Sequence, residues 1–451
     1  MQFFTWTQNT SLIKLSLTKM KFIIFFIIII NSNLLFADEF LVYLESAYKN
    51  NPILNAEREN YKATKENINI SRSEFLPSVS ILGSQDSKQN SNRTNQDGST
   101  LSDTSSTTET QSISIDQKIF QGFQGYNSIK KSVLESEQAA LKLKNTEQKI
   151  LLQSATAYYD LVYKIKNTQF NSSNIDLFER QVESDSSRLQ KGEITLTDLA
   201  QSESSLAGAN AKFIAAETEL LTAKSNFERI IRLPAPDRVV KDSFTESVIL
   251  KFPPDLDAAF IFSKKNNPQL LLAKLDYEIA KKNVDIEKSK FSPSASVNYT
   301  QSQNNDFNSS VNETDIETLK ATVTIPLFKG GKNYSLLKKS KFKKEQSNLI
   351  LQDTINKIKT DTANSWSAYQ SSESVLKATL AQVKAAEIAN EGITLEYDSG
   401  NTRTTLEVIQ SRSLLLEGKI SNAKAERDFA ISKFELLAVI GELTLKKLKK
   451  A

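Results

Sequence analysis

The chain is built twice, and that duplication limits its fold more than any single motif does. Asn51-Pro52 recurs as Asn267-Pro268, and Phe75-Leu-Pro-Ser78 as Phe291-Ser-Pro-Ser294, both 216 positions on. Ile119-Phe-Gln-Gly122 returns as Leu327-Phe-Lys-Gly330, and Tyr126-Asn-Ser-Ile-Lys-Lys-Ser132 as Tyr334-Ser-Leu-Leu-Lys-Lys-Ser340, both at 208. Gly192 and Gly400 keep that offset, while Gln201-Ser202 and Gln410-Ser411 differ by 209. Landmarks held in step like this mark two equivalent structural halves. The offset drops across the Ser/Asn/Thr-rich segments 85–111 and 301–316, which read as polar loops. The expected division is a first repeat over 38–232, an inter-repeat linker over 233–254 carrying four prolines, a second repeat over 255–446, and a short basic tail over 447–451.

Each repeat reads as helix, β-hairpin, long helix, turn, helix, with the hairpins over 77–120 and 293–328. Tyr126 to Lys191 contains neither glycine nor proline, and nor does Lys332 to Glu391. A helix over the first run would be about 100 Å long at 1.5 Å per residue. Leu151, Ala155, Tyr158, Val162 and Ile165 alternate at spacings of four and three, the pattern of a coiled-coil seam. Ala363 and Trp366 take the places of Ala155 and Tyr158 in the second copy.

The hairpins alternate with period two. Apolar side chains fall at 319, 321, 323, 325 and 327. Val79 and Ile81 alternate with Ser78 and Ser80, Ile113 and Ile115 with Ser112 and Ser114, and Ala295, Val297 and Tyr299 with Ser294, Ser296 and Asn298. One apolar face and one small polar face make the pattern of a membrane barrel with a wet lumen. Phe75, Phe120, Phe123, Phe291 and Phe328 cluster at the helix–strand junctions, where an aromatic girdle would lie. Pro77, Pro293 and Pro326 punctuate the same junctions. Four strands cannot close a barrel, and open edges are not tolerated in lipid. Two chains would supply eight strands and three would supply twelve. An eight-stranded barrel is filled by its own side chains, so a conducting assembly needs at least the trimer.

Composition removes whole functional classes. With no cysteine and no histidine, zinc and haem sites, thiol nucleophiles and histidine-based acid–base chemistry lack their residues. No metal or other cofactor is expected. Residues 1–37 read as a secretory signal, with Lys19 and Lys21 before the apolar run Phe22–Ile30 and a small residue, Ala37, at its end; Met20 is a candidate start. The three lysines of that segment leave 54 basic against 53 acidic residues, a balance that does not suggest a nucleic-acid partner. Gly330-Gly331-Lys332 lacks the spacing of a phosphate loop, and no carboxylate sits in a recognisable catalytic setting, so the chain does not read as an enzyme.

The duplicated order, the doubled Phe-x-Pro-Ser and Phe-x-Gly junctions and the glycine-marked turns resemble the TolC family of outer-membrane efflux and secretion proteins. The resemblance covers about 38–446. It implies a mixed, mostly α fold: a twelve-stranded transmembrane barrel shared by a homotrimer, continued by a tunnel of coiled-coil helical hairpins through the periplasm of a Gram-negative bacterium. Expected partners are outer-membrane lipid, a periplasmic adaptor and an inner-membrane pump, in an efflux or type I secretion system. The competing reading is a long-helix periplasmic adaptor, but such a protein normally has one hairpin and a β-rich lipoyl-like domain.

The resemblance also suggests roles at the tips. Thr197 and Asp198 match the family's Thr-Asp pair after Gly192, and Tyr397 and Arg403 match its Tyr-x-x-Gly…Arg turn around Gly400. In family members these groups bond between neighbouring helices and hold the periplasmic entrance closed. Arg403 stands one residue further from Gly400 than that pattern has it. Glu407 and Gln410 occupy positions where some members carry two constricting aspartates. A threefold Glu407 ring would favour cations, and Gln410 removes the second ring. The turns at Gly192 and Gly400 would dock the adaptor. Bare helix chemistry offers other roles. Both glycines suit helix C-termini, Thr197 or Asp198 suits an N-cap, and Arg403 and Glu407 suit a surface i, i+4 pair.

Overall fold

A computed structural model describes residues 39–238, 252–308, 311–399 and 403–448. The signal segment, part of the linker, most of the tail and Gly400 lie outside the described residues. In chain order the elements are α1 (Glu39–Asn50), α2 (Pro52–Ser73), β1 (Ser78–Asn90), β2 (Arg93–Thr94), β3 (Thr100–Leu101), β4 (Thr104–Gln121), α3 (Gln124–Gln190), α4 (Leu196–Ile231), α5 (Leu256–Asn266), α6 (Pro268–Ser289), β5 (Ser294–Asn308), β6 (Val311–Thr324), α7 (Lys332–Asp398), α8 (Thr405–Val439) and α9 (Leu445–Leu448). The two breaker-free runs are continuous helices of 67 residues each. The described residues form two compact units, one within 53–146 and 260–361 and the other over the remaining described residues.

In the first unit, β1, β4, β5 and β6 form an antiparallel sheet in the order β1-β4-β5-β6. Its register carries the period-two pattern across all four strands. Val79 lies opposite Ile115, Ile115 opposite Tyr299, and Tyr299 opposite Leu319. The edge residues of this apolar row are exposed, Val79 65% and Leu319 74% accessible, while Ile115 and Tyr299 in the middle strands are half-buried. The five junction phenylalanines are exposed too. The opposite face is bonded within itself: Ser114 and Thr300 hydroxyls meet at 3.2 Å, and the Asn298 amide donates to Asp116 at 2.7 Å. A bulge between Lys118 and Phe120 puts Phe120 opposite Ala295, back on the apolar side.

The polar segments 85–111 and 301–316 are mostly not loops. β1 runs on to Asn90, β4 starts at Thr104, β5 reaches Asn308 and β6 starts at Val311. Polar pairs carry the ladder where apolar alternation stops, as in Asp86 with Thr108 and Gln303 with Asp315. Backbone pairing needs no apolar side chain, so a reading tied to apolar period two ended too early.

The second unit has an aromatic core. Phe40 of α1 meets Tyr158 of α3 at 4.8 Å and Phe434 of α8 at 5.7 Å, and Tyr43 meets Phe227 of α4 at 5.0 Å. Leu151, Ala155, Tyr158 and Ile165 of the expected seam are buried, and Val162 is half-buried. Their counterparts Ala363 and Trp366 are only half-buried. Here Tyr369 fills the gap, stacking on Phe252 at 5.2 Å and Phe429 at 5.9 Å.

Candidate functional site: the hairpin tips

The turns between α3 and α4 and between α7 and α8 are organised by local backbone chemistry. Gly192, at φ +76°, closes α3. Its N–H donates to the Leu189 carbonyl and that of Glu193 to Arg188, both at 2.9 Å. Those two bonds make a Schellman turn, which needs a left-handed residue at this position. Three residues after Gly192, Thr195 caps α4. Its hydroxyl accepts the Asp198 N–H at 3.3 Å, and the Asp198 carboxylate accepts the Thr195 N–H at 2.9 Å and hydroxyl at 2.7 Å. This reciprocal pair is a capping box. The Thr195 bonds hold the Asp198 carboxyl below its ordinary value.

Thr404 and Glu407 repeat the device 209 residues on. The Glu407 carboxylate accepts the Thr404 N–H at 2.8 Å, and the Glu407 N–H donates to the Thr404 hydroxyl at 3.3 Å. Arg403 bridges the turn, donating to Glu396 at 2.6 Å and Glu407 at 3.0 Å. The Thr404 N–H first, then Arg403, hold Glu407 below the usual carboxylate range. Thr197 and Gln410 are exposed. Among the expected site residues that are described, only Arg403 and Glu407 bond to each other.

Tyr397 enters a different network. It is 3% exposed, and its hydroxyl donates to Asp185 at 2.8 Å and shares a 3.0 Å bond with Thr405. Asp185, on α3, is fully buried and also accepts the Ser202 hydroxyl of α4 at 2.5 Å and the Gln181 amide at 2.9 Å. Through this one carboxylate and Tyr397, helices α3, α4, α7 and α8 are tied together within a single chain. Burial, reinforced by Asp185, pushes the Tyr397 phenol above its ordinary value. The Arg188 guanidinium covers the Tyr397 ring at 4.5 Å. Arg412 of α8 donates to the Leu177 carbonyl at 3.3 Å; desolvation lowers its pKa, against the pull of Asp398, Asp185 and Tyr397.

Asp185 was missed because the seam reading stopped at Ile165. After a step of six residues from Ile165, a three-four spacing resumes through Asn171, Asn174, Phe178, Gln181 and Asp185, all buried. Polar residues at seam positions were the available signal, since a buried carboxylate persists only where partners satisfy it.

A sheet with one largely exposed apolar face and two pairs of consecutive long helices, α3 with α4 and α7 with α8, are the elements of an outer-membrane conduit protein. The outer membrane efflux protein family matches residues 43–231 and 263–442, one stretch per repeat. The chain belongs to that family. It is similar to the outer membrane efflux protein BepC of Brucella suis biovar 1, with 26% identity over 403 residues, 89% of this chain and 85% of the relative. The outer membrane protein TolC of Vibrio cholerae is 23% identical over 420 residues, 92% of this chain and 93% of the relative. Among solved structures, the Campylobacter jejuni CmeC outer membrane channel matches with a TM-score of 0.78 at 14% identity, covering 92% of this chain and 89% of that one. The protein is an outer-membrane channel of efflux systems, reaching into the periplasm of a Gram-negative bacterium. Its family and neighbours are channels, not enzymes, and the family assignment favours the channel over the adaptor reading.

Proposed function

We propose that three copies of the chain close one twelve-stranded barrel, and that this passive conduit is gated at its periplasmic helix tips. The observation that carries the proposal is the unfinished sheet: among the described residues β1 and β6 have no outer partner, and the apolar face is largely exposed. Among the described residues no helix is long and apolar enough to cross a membrane, so the sheet is the element that meets lipid. Unpaired strand edges are costly there. Three chains supply twelve strands and leave room for a lumen.

In this reading a periplasmic adaptor and an inner-membrane pump deliver small molecules or polypeptides to the tips, and the channel adds no chemistry. The closed tip is held within each chain by the Asp185–Tyr397 network. Thr197, Asp198 and Arg403 contribute between neighbouring helices, and Glu407 and Gln410 line the constriction. The adaptor docks at the Gly192 and Gly400 turns, where Leu196 is exposed, and favours the open state by contacting it better. The test is the mass of detergent-extracted protein from separated inner and outer membranes. A trimer from the outer membrane is expected; a monomer from the soluble periplasm would sink the proposal.

A further inference from the structure

We infer that the lumenal face of the barrel carries a basic collar that makes the pore prefer anionic solutes. The inference rests on the trimeric barrel proposed above. The sheet register divides its charged residues between two faces. Lys118 lies opposite Ser296, which lies opposite Thr322, and Lys320 lies opposite Asn298, which lies opposite Asp116. These positions share the polar face. Glu109, Glu313, Asp315 and Glu317 fall on the other one, in the rows of Asn305, Gln303 and Gln301.

At the helix end of the polar face lies an open concavity of about 690 Å³, lined in part by Ser294, Ser296, Thr322 and the lysines Lys118, Lys290 and Lys329. Lys290 is taken up by Glu287 at 2.7 Å. Among the described residues no ion pair involves Lys118, Lys320 or Lys329. Against these three ammonium groups stands one carboxylate, Asp116, bonded to the Asn298 amide. Further along the face Asp86 and Lys88 offset each other.

Three chains turn each lysine into a ring, and rings of basic side chains are the usual device of anion pores. Low-dielectric walls focus such a field into the lumen. The tip does not oppose it strongly, because Arg403 compensates Glu407 within each chain. The solute class favoured is therefore the organic or inorganic anion, a carboxylate or phosphate.

The experiment measures reversal potentials of the full-length protein in planar bilayers under a KCl gradient. It uses the wild type and an Asp185→Ala background, so that a shut tip is not mistaken for a missing pore. A chloride-over-potassium permeability ratio of roughly threefold is expected at 0.1 M salt, falling toward one at 1 M, where the Debye length shrinks from about 10 to 3 Å. K118Q/K320Q/K329Q should bring the ratio to about one at low salt, while K118R/K320R/K329R keeps it. A wild-type ratio at or below one, a ratio the glutamines leave unchanged, or one indifferent to salt would overturn the inference while leaving the conduit standing. A protein that forms no trimer and no pore in either background overturns the barrel reading and the collar with it.

Discussion

At the scale of the residue, Asp185 carries more of the tip than any residue the family pattern names. Removing it leaves the Tyr397 and Ser202 hydroxyls and the Gln181 amide without their buried acceptor. An unsatisfied buried polar group costs about 1–3 kcal/mol. Asp185→Ala should therefore raise basal conductance in planar bilayers about tenfold or more, and Tyr397→Phe should raise it less, because Ser202 and Gln181 still satisfy the carboxylate. Conductance identical to wild type in both variants would remove the network from the gate. Asp198 poses a separate choice between cap and gate. As a cap alone, Asp198→Ala and Thr195→Ala should cost the same, about 1 kcal/mol, and shift conductance equally. As a gate residue, Asp198→Ala should open the channel further than Thr195→Ala.

The capping carboxylates also set a pH window. Asp198 and Glu407 are both held below their ordinary values, 3.8 and 4.5. Groups with depressed folded values stabilise the fold fully above the unfolded value and lose that contribution as pH falls through the folded one. Tip conductance should then be flat from about pH 8 to 5 and rise below about pH 4. A rise confined to the neutral range would mean that other groups control the tip. Both capping boxes follow a pattern present in the sequence, Thr195-x-x-Asp198 and Thr404-x-x-Glu407, but the N-cap expected at Thr197 or Asp198 falls instead on Thr195, because Asp198 serves as the third helical residue of the box. No local motif sets Asp185 apart; only the buried three-four spacing that resumes at Asn171 marks its position.

At the scale of the element, the long helices and the paired faces of the sheet were readable because each follows one period over many residues. What escaped was decided by backbone rather than by apolar pattern. The strand ends beyond Ser84 and before Gln111 are polar on both faces, and only their ladder marks them as strands. The junctions differ in a way that the matched sequences conceal. Gly122 and Gly330 are repeat equivalents, at φ +59° and +57°. A Cβ on Gly122 would lie 2.4 Å from the Ser292 Cβ and 2.6 Å from the Ser289 carbonyl, whereas one on Gly330 would meet nothing within 4 Å. Gly330→Ala therefore carries only the left-handed backbone cost of about 1–2 kcal/mol, while Gly122→Ala adds a backbone clash between the strand and α6. Heat-stable oligomer on gels should fall modestly in the first variant and severely in the second. Equal losses would show that the junction shifts to make room.

At the scale of the whole molecule, what a single chain leaves undone is its most informative property. The helical seams find partners within the chain, but among the described residues β1 and β6 have none on their outer edges, so the proposed assembly joins β6 of one copy to β1 of the next. Because the sequence contains no cysteine, an introduced pair supplies the only thiols, and a disulfide forms only where Cα atoms approach within about 4.4–6.8 Å. Ser80 sits on the polar face of β1 in the row that continues through Ser114 and Thr300 to Thr318 of β6. Closing a barrel tilts and staggers its strands, so the mate of Ser80 in the next copy is displaced along β6 by an even number of residues if it keeps to the same face. Ser80→Cys combined in turn with Thr318→Cys, Lys320→Cys and Thr322→Cys should yield, for at least one pair, a covalent trimer on non-reducing gels that reduction returns to monomer. The single-cysteine variants should give dimers at most. A ladder ending at two chains would close the barrel with eight strands and no open lumen. A ladder without an end would mean that the edges join without closing, which an outer-membrane conduit cannot survive.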